Sequence, residues 1–437
     1  MFDFDTQLQQ QPAERLVFQR DIQADDIASY FHTGGTTGTP KIAQLTQSNQ
    51  VFVASVIADQ YSYDENTVAI CGLPLFHVNA VFVTGLNVFA RGGQTVLLSP
   101  AGYRTPGLVD NLWQLIAKYK ATFFSAVPTI VSALLKTVPE DKSLIASMQY
   151  VACGAAPIAP ETLRQFNELT GITILEGYGM TEATCTSALN PEHGERRVGS
   201  IGLRFPYQSM KCVVLDDNGR YLHDCAVEQQ GVIVVKGPNV FKGYKNPENN
   251  HGAFIDGWLV TGDLARQDKD GYFWLTGRAK DLIIRGGHNI DPKVIEDVLS
   301  NHPAVELVAA IGQPDAYAGE LPCAYVTVHQ NSVVSVDELM AYVRGAIPER
   351  AAIPVYLEIV ETMPVTAVGK IFKPALRNQS IERVLGAAIS KAGHTAGVRV
   401  ESNDKLGVLA CIDQPSDKQG IKSVLDLFTV AYEYSEA

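Results

Sequence analysis

The chain has 437 residues, 46% of them hydrophobic, and a formal net charge of −12. That length allows two or three cored domains, and the charge excludes a general nucleic-acid binder, whose affinity rests on clustered Lys and Arg. Seven cysteines, at 71, 153, 185, 212, 225, 323 and 411, form no Cys-x-x-Cys pair, so reduced thiols in a cytoplasmic protein are expected rather than disulfides or a structural zinc site.

In chain order, the N-terminal residues are polar and lack the basic-then-apolar pattern of a secretory signal. The run Thr33-Gly34-Gly35-Thr36-Thr37-Gly38-Thr39-Pro40-Lys41 follows. Its glycines allow tight turns with N–H groups exposed, and its hydroxyls and ammonium add donors, which together suit a polyphosphate. A polar surface turn is the plainer alternative. Pro40 before Lys41 departs from the NTPase loop, in which Gly-Lys-Ser/Thr opens a helix.

Helices are expected over Asn49 to Ala58 and Leu108 to Tyr119, and strands over 68–71, 95–98, 122–125 and 150–153, the alternation of an α/β layer. Val78 to Ala90 is apolar but broken by Asn79, Thr84, Gly85 and Asn87, short of an integral membrane segment. The strand at 150–153 ends in Gly154-Ala155-Ala156-Pro157, and a strand at 172–175 runs into the glycine turn Glu176-Gly177-Tyr178-Gly179-Met180-Thr181-Glu182. Ligands of open α/β sheets sit at such strand ends.

From about 200 to 279 the texture is β-rich, with strands at 211–215 and 231–235. A buried-type strand is expected at 282–284, a helix over 291–299, strands at 305–311 and 321–328, and a helix over 336–347. These form a small α+β lid of roughly 100 residues. Beyond it a hairpin, 398–402 with 408–412, and a helix from Asp417 to about Tyr432 are expected.

Taken singly, Asp263 in Thr261-Gly262-Asp263 is a turn residue, Arg278 and Lys370 are surface charges, and His77 in Leu75-Phe76-His77-Val78-Asn79 is a hydrogen-bonded core histidine. Their order along the chain resembles the adenylate-forming (AMP-binding) superfamily, of the acyl-CoA synthetase or fatty-acid-CoA ligase type. The resemblance covers about residues 30 to 378.

The resemblance implies a large α/β AMP-binding domain at 1–279, including the β-rich subdomain, a mobile lid at 280–378, and a hairpin-helix extension at 379–437. It assigns Thr33, Gly34, Gly35, Thr36, Thr37, Gly38 and Lys41 to the phosphates of ATP, and Gly154, Ala155, Ala156, Tyr178 and Gly179 to the adenine side. Thr181 goes to the α-phosphate, Glu182 to Mg²⁺, Asp263 to the ribose hydroxyls and Arg278 to the ribose and phosphate side. Lys280 matches the hinge, Gly286 and Gly287 the pantetheine path of CoA, and Lys370 the catalytic lysine. His77, Val78 and Phe82 border the acyl pocket, with His77 also close to the chemistry.

The implied reaction joins a carboxylic acid, expected to be fatty or otherwise apolar, to AMP and then to CoA. Two other readings are adenylation for a carrier protein and a non-catalytic or partner-dependent nucleotide-binding remnant. Family members usually carry on the order of 150 further residues, a domain's worth, before the threonine-rich run, where this chain has 32. An N-terminally truncated subdomain is therefore expected, completed by a complementing fragment or a homo-oligomer.

Overall fold

The computed structural model describes residues 3–14, 20–33, 41–154, 158, 160–216, 218–278, 281–286, 288–330, 332–366, 369–403 and 407–435. At its centre lies a seven-stranded sheet in the spatial order Gln94–Leu97, Val68–Cys71, Phe123–Ala126, Tyr150–Cys153, Thr173–Tyr178, Ala188–Leu189, Leu203–Arg204. The first five strands are parallel and the last two antiparallel.

Parallel strands are covered on both faces and so read as unbroken apolar runs. All four residues of Phe123–Ala126 are buried. Alternate side chains feed two cores. Phe123 and Tyr150 join Val53, Ile57, Phe82 and Phe205 on one face. Phe124 and Val151 join Trp113, Val131 and Phe166 on the other. Helix Gln47–Gln60 covers the first face, its Thr46–Asn49 capping box satisfying its first turn. Helices Leu112–Tyr119, Pro128–Leu135 and Pro160–Thr170 supply the second.

Helix Leu112–Tyr119 starts four residues later than expected, because Gly107 stands at φ +73° and the chain to Asn111 is held in turns, Leu108 N–H to Thr105 O and Asn111 N–H to Leu108 O. The expected glycine turn at 176–178 is instead strand. Gly177 and Tyr178 pair with Leu189 and Ala188, and the turn begins at Gly179.

The β-rich part is a six-stranded antiparallel sheet running Tyr221–Asp224, Ser209–Leu215, Gly231–Lys236, Trp258–Gln267, Phe254–Ile255, with Phe273–Arg278 also paired to Trp258–Gln267. The lid sheet contains His288–Ile290, Ile283–Arg285, Gly319–Val328, Val305–Asp315 and Tyr356–Ile359. Helices Pro292–Ser300 and Val336–Ala346 pack on it through Ile295, Leu299, Leu339 and Val343. Within the strand expected to be buried, Ile283 is buried and Ile284 is exposed.

Helix Lys373–Lys391 crosses the expected 378/379 boundary without a break. Its Leu376 packs in the lid, whereas Ile381, Leu385 and Ile389 pack against Ala410, Ile412, Ile421 and Leu425 of the extension. The expected hairpin, Gly397–Asn403 with Gly407–Asp413, and helix Lys418–Leu425 are present, and a third strand, Ala431–Tyr434, completes a three-stranded sheet. The helix expected to reach Tyr432 ends at Leu425, and the following strand pairs parallel to Gly407–Asp413. Among the described residues, no helix is long and apolar enough to cross a membrane.

Candidate active site

The two ends of the threonine-rich run belong to an antiparallel strand pair, Ile27–Thr33 with Lys41–Thr46, in which Thr33 and Lys41 face each other. Gly34, Gly35, Thr36, Thr37 and Gly38 lie outside the described residues. Beside this pair sits Tyr244, a residue without a signal in the sequence. Its hydroxyl donates to Glu182 Oε1 at 2.6 Å and hydrogen-bonds Thr33, and Lys41 Nζ stands 5.0 Å from its ring centroid. Burial, then the Glu182 carboxylate, holds the tyrosine proton on well above its ordinary range. Tyr244 thus ties the phosphate hairpin to the carboxylate expected to meet Mg²⁺.

Thr181 and Glu182 open a short 3-10 turn, Thr181–Ala183, directly after the strand that carries Tyr178. The turn is held sharply. Thr184 and Cys185 have φ of 50° and 85°, unusual for residues with side chains, and Thr184 Oγ1 donates to Asn239 O at 2.7 Å. Asn239, also unmarked in the sequence, donates its amide to Ala183 O, Thr186 O and Gln208 Oε1. Gly179 has to be glycine, since a Cβ there would lie 1.6 Å from Cys185 O.

Tyr178 Oη donates to Asp263 Oδ2 at 2.7 Å. Asp263 is 6% exposed, lies opposite Arg278 in the strand register, and its backbone N–H donates to Thr261 Oγ1 at 3.1 Å. The Arg278 side chain lies outside the described residues, as do Ala155, Ala156, Lys280 and Gly287. Gly154 closes the Tyr150–Cys153 strand, where a Cβ would come 3.0 Å from Gly177 O.

Glu176, one strand step before this cluster, accepts from Gly199 N–H at 3.0 Å. Burial raises its carboxyl to about 7, against the opposing pull of the Gly199 N–H and of Lys293 from the lid. Lys293 Nζ itself donates to Leu275 O at 3.2 Å, so the lid touches the β-rich sheet beside this carboxylate.

Lys370 projects from a tight hairpin. Thr366 N–H bonds Lys370 O at 2.7 Å, Gly369 N–H bonds Thr366 O at 2.9 Å, and Val365 bridges Ile371. The hairpin docks on the first turn of helix Pro128–Leu135, where Thr129 Oγ1 donates to Gly369 O at 3.1 Å. A Cβ on Gly369 would meet Val127 Cγ2 at 3.0 Å.

The docking brings the Lys370 charge within electrostatic reach of His77. Burial first, then Lys370 and His32, lowers the His77 imidazole to about 4. The Asn79 N–H points at His77 Nδ1 from 3.3 Å, so the neutral ring carries its proton on Nε2. Val78 and Phe82 beyond it are buried. On the lid, Gly286 has φ +58° with open space where a Cβ would stand.

His77 and Glu176 make opposite demands on stability. Between pH 6.5 and about 4 the unfolded chain protonates His77 and the folded one does not, so this term loses stability as pH falls. Between pH 4.5 and about 7 the folded chain holds a proton on Glu176 that the unfolded chain releases, so this term loses stability as pH rises. Each is worth at most about 3 kcal/mol. Glu176→Gln is therefore expected to gain stability over the parent between pH 5 and 7, and His77→Gln to lose its relative advantage over the same interval. Urea unfolding of parent and variants at the two pH values checks this, and parallel differences would refute the assignment.

The family model described as AMP-binding enzyme matches residues 2–245, and that described as AMP-binding enzyme C-terminal domain matches residues 294–370. The chain is 41% identical over 430 residues to the marinolic acid--CoA ligase of Pseudoalteromonas sp. (strain SANK 73390), covering 97% of this chain and 66% of that protein. It is 32% identical over 378 residues to the long-chain-fatty-acid--CoA ligase of Bacillus subtilis (strain 168), covering 86% and 66%. The chain thus spans 66% of the length of both relatives.

Among solved structures, ATP-bound MatB from Rhodopseudomonas palustris superposes with a TM-score of 0.76 at 31% identity, covering 82% of this chain and 69% of that one. O-succinylbenzoate coenzyme A synthetase (MenE) from Bacillus subtilis, in complex with ATP and magnesium ion, superposes with a TM-score of 0.70 at 31% identity, covering 86% and 74%. The expected fold class, a large α/β domain followed by a smaller α+β domain, agrees with these matches.

Proposed function

The chain belongs to the AMP-binding enzyme family, and on that footing we propose that it is an ATP-dependent acyl-CoA synthetase. One observation carries this reading: the Gly369–Thr129 contact that brings the Lys370 charge within electrostatic reach of His77, which directly precedes buried Val78. A lysine there meets the carboxylate and the α-phosphate together and offsets the charge that builds as two anions are brought into contact.

In the first step a carboxylate oxygen attacks the α-phosphorus, the bond to the bridging oxygen breaks, and pyrophosphate leaves. In the second, a CoA thiolate attacks the acyl carbon and AMP leaves, carrying the electron pair on its phosphate oxygen. Thr33 and Lys41 hold the neck of the hairpin that would cradle the phosphates, and Asp263 accepts the ribose hydroxyls. Neutral His77 fills its place without adding a cation next to Lys370. Glu182, one hard carboxylate beside a polyphosphate, suits Mg²⁺, which usually takes one or two carboxylates plus substrate phosphates. When bound, that ion would neutralise charge on the leaving pyrophosphate.

Val78 and Phe82 favour an apolar acid. The long-chain-fatty-acid ligase supports that choice, although the oxalate--CoA ligase of Arabidopsis thaliana is 34% identical to this chain, so relatedness alone does not select the acid. The test is acid-dependent exchange of pyrophosphate into ATP, followed by thioester formation on adding CoA. Exchange with one or more acids is expected; ATP binding without exchange or thioester would overturn the proposal.

A further inference from the structure

Asn87 has no part in the chemistry above. Its side chain is 0% exposed, and neither Nδ2 nor Oδ1 has a hydrogen-bond partner. Buried amides are nearly always bonded, so an orphan calls for a cause. The neighbouring hydroxyls are already engaged: Thr84 Oγ1 donates to Ala80 O, and Thr95 Oγ1 to Thr84 O.

The backbone explains how the amide comes to be there. The wall helix runs Val78–Val81, then a π turn Phe82–Leu86, then Asn87–Phe89. Asn87 N–H bonds Phe82 O, five residues back. In an α-helix a residue five ahead stands about 140° away around the axis, whereas a wider π turn brings it towards the residue it bonds. The extra residue therefore swings Asn87 towards the face of Phe82, where unbroken α-helix would have set Leu86. A π turn and an unpaired amide coincide at one place, and departures of this sort gather at functional sites.

We propose that Asn87 is a specificity-determining residue that hydrogen-bonds a hydroxyl or carbonyl group borne on the chain of the acid. The inference rests on the acyl-CoA synthetase reading and narrows its substrate class to oxygen-substituted apolar acids. The amide is closed off from solvent, so the contact requires the packing around Asn87 to open when the acid binds.

The experiment measures kcat/KM for pyrophosphate release with decanoic acid and its positional hydroxy and keto derivatives, in the parent and in Asn87→Leu, alongside the thermal midpoint. In the parent, one derivative is expected to exceed decanoic acid by about tenfold or more, because an acid lacking the group leaves the amide unpaired. Asn87→Leu should abolish that preference and raise the midpoint, since it removes an unsatisfied polar group. Asn87→Ala, which cannot overpack the site, gives the same comparison should the leucine variant fail to fold. Absence of any such preference in the parent, or its survival in the variants, overturns the inference while leaving the synthetase reading intact. Absence of pyrophosphate release with every acid, decanoic acid included, refutes both.

Discussion

Lys370→Ala is expected to lower acid-dependent pyrophosphate exchange by about 10²–10³-fold, the usual consequence of deleting one preorganised electrostatic group from a transition state. The hairpin that carries the lysine is built for placement rather than for stability. Its described bonds are local, from Thr366 to Gly369 and Lys370, and it meets the large domain through the Thr129–Gly369 bond and the Val127 contact. If the smaller domain that carries Lys370 swings as the family resemblance implies, Lys370 leaves the site after adenylation, so the loss should be confined to the first half-reaction. Thioester formation from chemically prepared acyl-AMP should be little changed, and so should the affinity for ATP. Equal losses in both halves would show that the residue supports the fold and not the adenylation step. Restoring the Lys370–His77 proximity with Lys370→Arg should recover only part of the rate, because a planar guanidinium does not replace a compact ammonium.

Asp263→Ala should weaken ATP binding by about 100-fold, measured by calorimetry. Two charge-assisted bonds to a vicinal diol, each worth roughly 1.5 kcal/mol or more, account for that size. The same change deprives the Tyr178 hydroxyl of its partner at 2.7 Å in a place where Tyr178 is 8% exposed. Tyr178→Phe removes only the hydroxyl and should cost much less in affinity. If Asp263→Ala binds ATP as the parent does, the carboxylate is structural and the ribose is held elsewhere.

The parallel strands were legible because burial on both faces leaves mostly apolar residues between turns, as at Phe123–Ala126, where Ser125 alone is polar. The candidate site residues were read from their types and order, and among the described ones Tyr178 meets Asp263 and Thr33 lies opposite Lys41. Tyr244 was not legible, since it reaches Glu182 across 62 positions through a hydroxyl hydrogen bond with no local pattern around it. The π turn was also hidden. Phe82–Leu86 has the apolar spacing of any helix, and its extra residue is fixed only by packing on both sides. Misreading the last strand has a simpler cause: the helical period of Asp417–Leu425 continues into Ala431–Tyr434, where pairing along Gly407–Asp413 outweighs it.

Helix Lys373–Lys391 begins three positions after Lys370 and extends roughly 28 Å at α-helical rise. The far end holds the extension, so the catalytic hairpin and the C-terminal sheet share one rigid shaft. A mass or surface attached after Tyr434 would act on that shaft as on a lever arm. With the domain swing that the family resemblance implies, a fluorescent protein fused there would gauge that swing, and immobilisation by the same end would slow turnover.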